Sequence, residues 1–165
     1  MKKLLIFDLD GTLLNTIADL AHSTNYALEK NGFPAHHLEE YNYFVGNGIN
    51  KLFERALPEG EKTEENIAKI RQDFLAHYDV HNADASRPYE GIPELLQALQ
   101  DKGIQLAVAS NKYQAATTKL VGFFFPNIRF TAVLGQREGI KTKPDPGIVS
   151  EIREKAHVEA ADTLY

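Results

Sequence analysis

Asp8 and Asp10 stand one residue apart directly after the apolar run Leu4-Leu5-Ile6-Phe7, and Gly11-Thr12 follows them. Two carboxylates this close are costly unless a cation binds them or one stays protonated. A hard cation such as Mg²⁺ takes oxygen ligands, and its charge reverses the local pKa logic. An ordinary strand end with an Asp-Gly turn uses the same dipeptide, so further segments must decide. Ser110-Asn111-Lys112 follows the apolar segment 105–109 and offers a hydroxyl and backbone N–H groups to phosphate oxygens. Ser-Asn also closes many strands as a plain turn. In Lys141-Thr142-Lys143-Pro144-Asp145-Pro146, two prolines fix the backbone just before a helix. Such rigidity would hold a lysine ammonium as a point charge for phosphate; a solvated loop lysine is the plainer alternative.

The elements that must carry these residues are legible from their periods. Leu4 to Phe7, with no polar side chain, reads as a parallel strand buried on both faces. Ligands in open α/β sheets bind beyond the carboxyl ends of such strands, where both aspartates fall. Ile17, Leu20, Ala21, Thr24 and Leu28 then share a helical face, and Asn31-Gly32 stops it. Further helices are expected over 49–57 and 63–78, the latter with only a weak cap at Thr63, because a capping box wants Glu or Gln where Asn66 stands. No strand signal lies between Asn15 and Ala83. From Pro88 the pattern alternates: a helix through Ile92 and Leu99, a strand over 104–109, a helix over 113–121, a strand over 131–134, a helix over 146–156, and a strand beginning at Thr163-Leu164-Tyr165. Alternation of this kind predicts an α/β protein with a doubly wound parallel sheet, a Rossmann-like core, and right-handed crossovers. The core is expected over residues 1–14 and 84–165. Residues 15–83 read as an inserted all-helical cap placed over the aspartates.

The 165 residues are 43% hydrophobic and 25% charged, which suits a globular protein with a substantial core. A formal charge of −5 leaves no electrostatic footprint for nucleic acid, so an anionic substrate must be drawn by local groups. The chain has no cysteine, which excludes disulfides, thiolate catalysis and thiolate metal sites. No stretch approaches the roughly 18 apolar residues needed to span a bilayer. Met1-Lys2-Lys3 precedes an apolar run too short for a signal peptide. The expectation is a soluble, cytoplasmic protein without nucleic-acid or membrane partners; its oligomeric state is not readable.

The run Asp8-Leu9-Asp10-Gly11-Thr12-Leu13 resembles the first motif of the haloacid dehalogenase-like superfamily, most of whose members are phosphatases. Ser110, followed by Asn111-Lys112, is similar to the second motif, and Lys143-Pro144-Asp145-Pro146 to the third. Within the superfamily, Asp10 to Thr16, Val45-Gly46-Asn47-Gly48 and Arg87 to Ile92 resemble phosphoglycolate phosphatases, with Asn15 standing where many have Asp. The resemblance implies Asp8 as nucleophile and Asp10 as general acid/base. It also implies Mg²⁺ held at Asp8 and Asp10, the latter through its main-chain carbonyl. Ser110, Asn111 and Lys143 would bind the phosphoryl group, in preference to Lys141. Gly46, Asn47 and Gly48 could turn backbone N–H groups towards a small carboxylate, or simply form the turn entering a helix.

The implied activity is Mg²⁺-dependent hydrolysis of a small phosphorylated metabolite, with 2-phosphoglycolate the leading candidate. A sugar-phosphate mutase on the same scaffold is the nearest alternative. A dehalogenase is disfavoured by the acid at Asp10. A phosphonatase would need a cap lysine, for which only Lys51 offers itself. The superfamily's fourth motif, an acidic pair completing the metal site, belongs on the strand that begins at Thr163; Asp162 precedes that strand and is not assigned to it. The chain therefore reads as a portion of a longer protein, with an open parallel edge at the strand bearing Asp8. On that footing it could also be a non-catalytic domain that binds phosphate or a protein partner.

Overall fold

In the computed structural model, which describes residues 2–165, the apolar run becomes strand β1 (Leu4–Phe7) of a four-stranded parallel sheet. Its neighbours are β4 (Gln105–Tyr113) and β6 (Thr163–Leu164), and β5 (Phe130–Gln136) lies beyond β4, giving the order β5-β4-β1-β6. Leu4 to Phe7 pair in register with Gln105 to Val108. The edge expected to be open is half covered: β6 pairs with Leu4 and Leu5, so Ile6 and Phe7 have β4 as their only strand partner among the described residues.

The chain divides into two compact units, one comprising Met1–Asn15 and Arg87–Tyr165, the other Thr16–Ser86. In the first, helices α5 (Ile92–Asp101), α6 (Gln114–Phe124) and α7 (Gly147–Ala156) alternate with the strands. Leu4, Ile6, Ala107, Ala109, Ala132 and Leu134 form one buried sheet face, against which Ile148, Ile152 and Ala156 of α7 pack. Leu106 and Val108, one residue out of step, are also fully buried. That two-sided burial is why these strands read as continuous apolar runs rather than alternating ones. Each buried Leu, Ile or Val among them contributes about 1.5–3 kcal/mol relative to an exposed one, and each alanine less. Two-residue strands β2 (Leu14–Asn15) and β3 (Arg87–Pro88) pair antiparallel, Leu14 with Pro88 and Asn15 with Arg87. The chain leaves the core and re-enters it along this ribbon.

The second unit is helical. α1 (Ile17–Lys30) ends where Gly32 adopts φ 78° and Phe33 N–H reaches back to Leu28 O at 2.9 Å, a left-handed cap that favours glycine. A 3₁₀ turn (Leu38–Glu40) and the short α2 (Tyr41–Phe44) follow, in a stretch where the sequence predicts no element. α3 (Ile49–Ala56) and α4 (Glu64–His81) complete the unit; α4 outruns its expected end at Tyr78. The weak cap is real, with Thr63 Oγ1 accepting Asn66 N–H at 3.2 Å. Phe74 meets Phe53 edge-on and stacks on Tyr78, each at 5.1 Å between ring centres, and all three are fully buried. Burial also pushes the Tyr41 phenol pKa well above its ordinary value.

Asp19, buried in the first turn of α1, fastens the ends of this unit. Its carboxylate accepts Ala85 N–H at 2.9 Å, Ser86 N–H at 2.8 Å and the Ser86 hydroxyl at 2.6 Å. Hydrogen bonds to a charged acceptor offset the desolvation of the buried carboxylate. Among the described residues, no helix is long and apolar enough to cross a membrane.

Candidate active site

β1 ends at Phe7, so Asp8 and Asp10 emerge at its carboxyl end. Gly11, at φ 77°, turns the chain there, and its N–H bonds to Leu14 O at 2.8 Å. Asp8 is partly open, its side chain 39% exposed, and Asp10 more enclosed at 18%. Each acid faces its own ammonium: Lys143 Nζ lies 3.0 Å from Asp8 Oδ1, and Lys112 Nζ lies 3.2 Å from Asp10 Oδ1. Asp8 Oδ1 also accepts Leu9 N–H at 2.7 Å.

Lys143 is set by several groups. Its ammonium donates to Ala109 O and to Tyr165 Oη, both at 2.7 Å, and lies 5.4 Å from the centre of the Tyr165 ring. Its backbone is gripped by Asn111, whose Oδ1 accepts Lys143 N–H at 2.8 Å and whose Nδ2 donates to Lys143 O at 3.2 Å. The sequence places Asn111 among the phosphate ligands; its side-chain amide holds the lysine segment beside β4. The Lys143–Pro144 peptide is cis. Arg137 braces the same loop to α7 through two bonds to Glu151, at 3.1 and 2.6 Å, which hold the Glu151 carboxyl pKa below its usual range.

Ser110 lies not after the strand, as expected, but inside a longer β4. The pairing slips here: Ala109 faces Leu134 while Tyr113 faces Gln136, so four steps on β4 match two on β5. Such a bulge re-aims side chains at a sheet's end. Ser110 is buried, and its Oγ accepts Lys112 N–H at 3.1 Å. Thr117 Oγ1 donates to Lys112 O at 3.1 Å. Gly135 on β5 packs against this bulge, where an added Cβ would come within 2.5 Å of Lys112 O and 2.6 Å of Thr117 Oγ1. Gly135→Ala must therefore push the two strands apart, and it should cost about 1–3 kcal/mol by overpacking. Urea unfolding would check this; an unchanged midpoint would mean the bulge is freely deformable.

Lys112 and Tyr165 touch the site residues without having been singled out from sequence. Nothing in the hydrophobic period distinguishes Lys112. The available signal was its place in the run Ser110-Asn111-Lys112 that closes the strand. Gly46, Asn47 and Gly48 belong to the helical unit, in the turn entering α3, where Gly46 and Gly48 have φ 120° and 84°. Asn47 Oδ1 accepts from Arg55 at 2.8 Å, and Arg55 also donates to Tyr43 O and Phe44 O, so this turn is braced from within.

As metal ligands, the carboxylates at the strand end suit a hard divalent ion that keeps much of its water, because all the donors there are oxygens. Among the described residues, no group of three or more His, Asp or Glu side chains is arranged to hold a metal. Asp8 and Asp10 are the two acids at the tip of β1 that could offer oxygens to such an ion.

Sheet order, the aspartates at a parallel strand's tip and the helical insertion that follows them define a Rossmann-like α/β protein with a candidate site beyond the strand ends. The haloacid dehalogenase-like hydrolase profile matches residues 5–165, and the chain belongs to that family. It is 35% identical over 147 residues to a phosphoglycolate phosphatase of Thiobacillus denitrificans, covering 87% of this chain and 65% of that protein. It is 32% identical over 169 residues to one of Psychrobacter arcticus, covering 99% and 74%. The chain therefore spans less than two thirds of the first of these curated relatives and about three quarters of the second. Among solved structures, a predicted phosphoglycolate phosphatase from Haemophilus somnus superposes with a TM-score of 0.90 at 30% identity, covering 98% of this chain and 75% of that one.

Proposed function

We propose that this chain carries the site of a phosphomonoester hydrolase that works through a phosphorylated Asp8, with 2-phosphoglycolate as the leading substrate. The observation that carries the reading is the Asp8–Lys143 pair at 3.0 Å, with Asp10 one residue beyond. A nucleophile and a fixed cation at one strand end suit a reaction in which a phosphoryl group must be both attacked and neutralised. The names of the relatives at 32–35% identity support the choice of substrate.

In the first step an Asp8 oxygen bonds to phosphorus as the ester P–O bond breaks, and Asp10 gives its proton to the departing alkoxide. In the second, water attacks phosphorus, Asp10 takes a proton from it, and the Asp8–phosphorus bond breaks to release phosphate. Lys143 neutralises the phosphoryl oxygens through both steps, and Asn111 keeps it in place. Ser110 is assigned to the same oxygens. Mg²⁺, held by Asp8 and the Asp10 main-chain carbonyl, would supply charge neutralisation that the protein's net charge of −5 does not.

Phosphate release from a panel of phosphomonoesters with Mg²⁺ tests the reading. Turnover is expected, with 2-phosphoglycolate among the best substrates, and a loss of at least about 100-fold on adding EDTA, with the far-UV circular dichroism unchanged. Silence across the panel with metal present would remove the hydrolase assignment. Turnover unaffected by EDTA would remove the metal from it.

A further inference from the structure

We propose that Asn47 is a site of spontaneous modification: the Gly48 nitrogen attacks its side-chain carbonyl, and the side-chain amide leaves as ammonia. The chain holds two Asn-Gly pairs, Asn31-Gly32 and Asn47-Gly48. Glycine hinders such an attack least, because it carries no side chain beside its nitrogen. In an unfolded chain the two pairs would react alike, but the folded helical unit treats them differently. Asn31 is half-buried and held at both reacting groups. Its Nδ2 donates to Ala27 O and to Asp73 Oδ2, each at 2.8 Å, which restrains the amide that would have to leave. The Gly32 N–H donates to Glu29 O at 3.0 Å, so the attacking nitrogen is committed to the cap of α1.

Asn47 is exposed, and neither its Nδ2 nor the Gly48 N–H donates to any described residue. Only its oxygen is held, by Arg55 donating to Asn47 Oδ1 at 2.8 Å. A guanidinium there draws electron density from the carbonyl carbon and stabilises the negative charge that the oxygen gains under attack. Gly46 and Gly48, at φ 120° and 84°, flank the asparagine with backbone that bends easily as a ring closes. In the reaction, a bond forms between the Gly48 nitrogen and the Asn47 side-chain carbon while the carbon–Nδ2 bond breaks. The proton of the Gly48 N–H passes through water to the departing nitrogen. Water then opens the cyclic imide at either carbonyl, giving aspartate, or isoaspartate with the main chain rerouted through the former side chain. Each product places a new carboxylate beside Arg55, and isoaspartate also lengthens the turn entering α3 by a main-chain carbon.

The test is incubation of the full chain in mildly alkaline buffer, with and without urea, followed by proteolysis and peptide mass mapping. In the folded protein Asn47 should convert at least about tenfold faster than Asn31, because one pair is restrained by native hydrogen bonds and the other is not. In urea the two rates should agree within about threefold, since the restraints on Asn31 are lost with the fold. Isoaspartate should appear at position 47 alongside aspartate, because direct hydrolysis of the amide yields aspartate alone. Equal rates at the two positions in the folded protein, no conversion at Asn47, or aspartate without isoaspartate would overturn the proposal. The reaction needs nothing of the hydrolase site, so each of these outcomes leaves that reading untouched.

Discussion

Asp8→Asn is expected to lower phosphate release by at least about 10⁴-fold while leaving the fold in place. The amide is nearly isosteric with the carboxylate but has no anionic oxygen to attack phosphorus, and Asp10 is assigned the proton transfers rather than the attack. The structural cost is small because Asp8 is 39% exposed and makes no buried network, so exchanging its ion pair with Lys143 should alter stability by less than about 1 kcal/mol. Two measurements make the expectation specific. Steady-state phosphate release should vanish, and acid-quenched protein should hold labelled phosphate in the wild type but not in the variant. Retention of more than about 1% of the wild-type rate in Asp8→Asn would exclude a covalent route through this residue.

Lys143→Ala should cost about 10²–10³-fold in kcat, the range for removing one preorganised donor to a developing charge. The lysine is held by more partners than a surface side chain would have. Its ammonium touches Ala109 O, Tyr165 Oη and Asp8, and its backbone is clamped by Asn111. Lys143→Arg should also lose at least about tenfold, because a planar fork cannot place its donors where a compact ammonium bonds to a carbonyl, a phenol and a carboxylate at once. Asn111→Ala should reproduce part of the kcat loss through a lysine no longer clamped. Activity within about fivefold of wild type in Lys143→Ala would place the essential cation elsewhere.

The sequence was most legible where burial on both sheet faces left an unbroken apolar run, as at Leu4–Phe7, and where glycine ended a helix, as at Gly32. The order of strands and helices after Pro88 followed from the same logic. What escaped was set by contacts distant in sequence. The β2–β3 ribbon is two residues long on each side and contains Pro88, so it has neither the length nor the alternation that marks a strand. The extension of β4 through Lys112 depends on a bulge that only its pairing with β5 reveals. The fate of the Asn111 side chain depends on a segment 32 residues away, and no local pattern announces it. The aspartates were visible because their chemistry is unusual for a strand end, whereas the pairing of Lys112 with Asp10 joins segments about a hundred residues apart.

The clasp at Asp19 and the paired strands Leu14–Asn15 and Arg87–Pro88 bear on how such a protein can change over time. For a segment that departs and returns through adjacent doorways, each doubling of length adds only about 0.6 kcal/mol of loop-closure entropy. A carboxylate that ties its two ends together lets it fold as a self-contained module. Lineages could then exchange one module for another without disturbing the strands of the core.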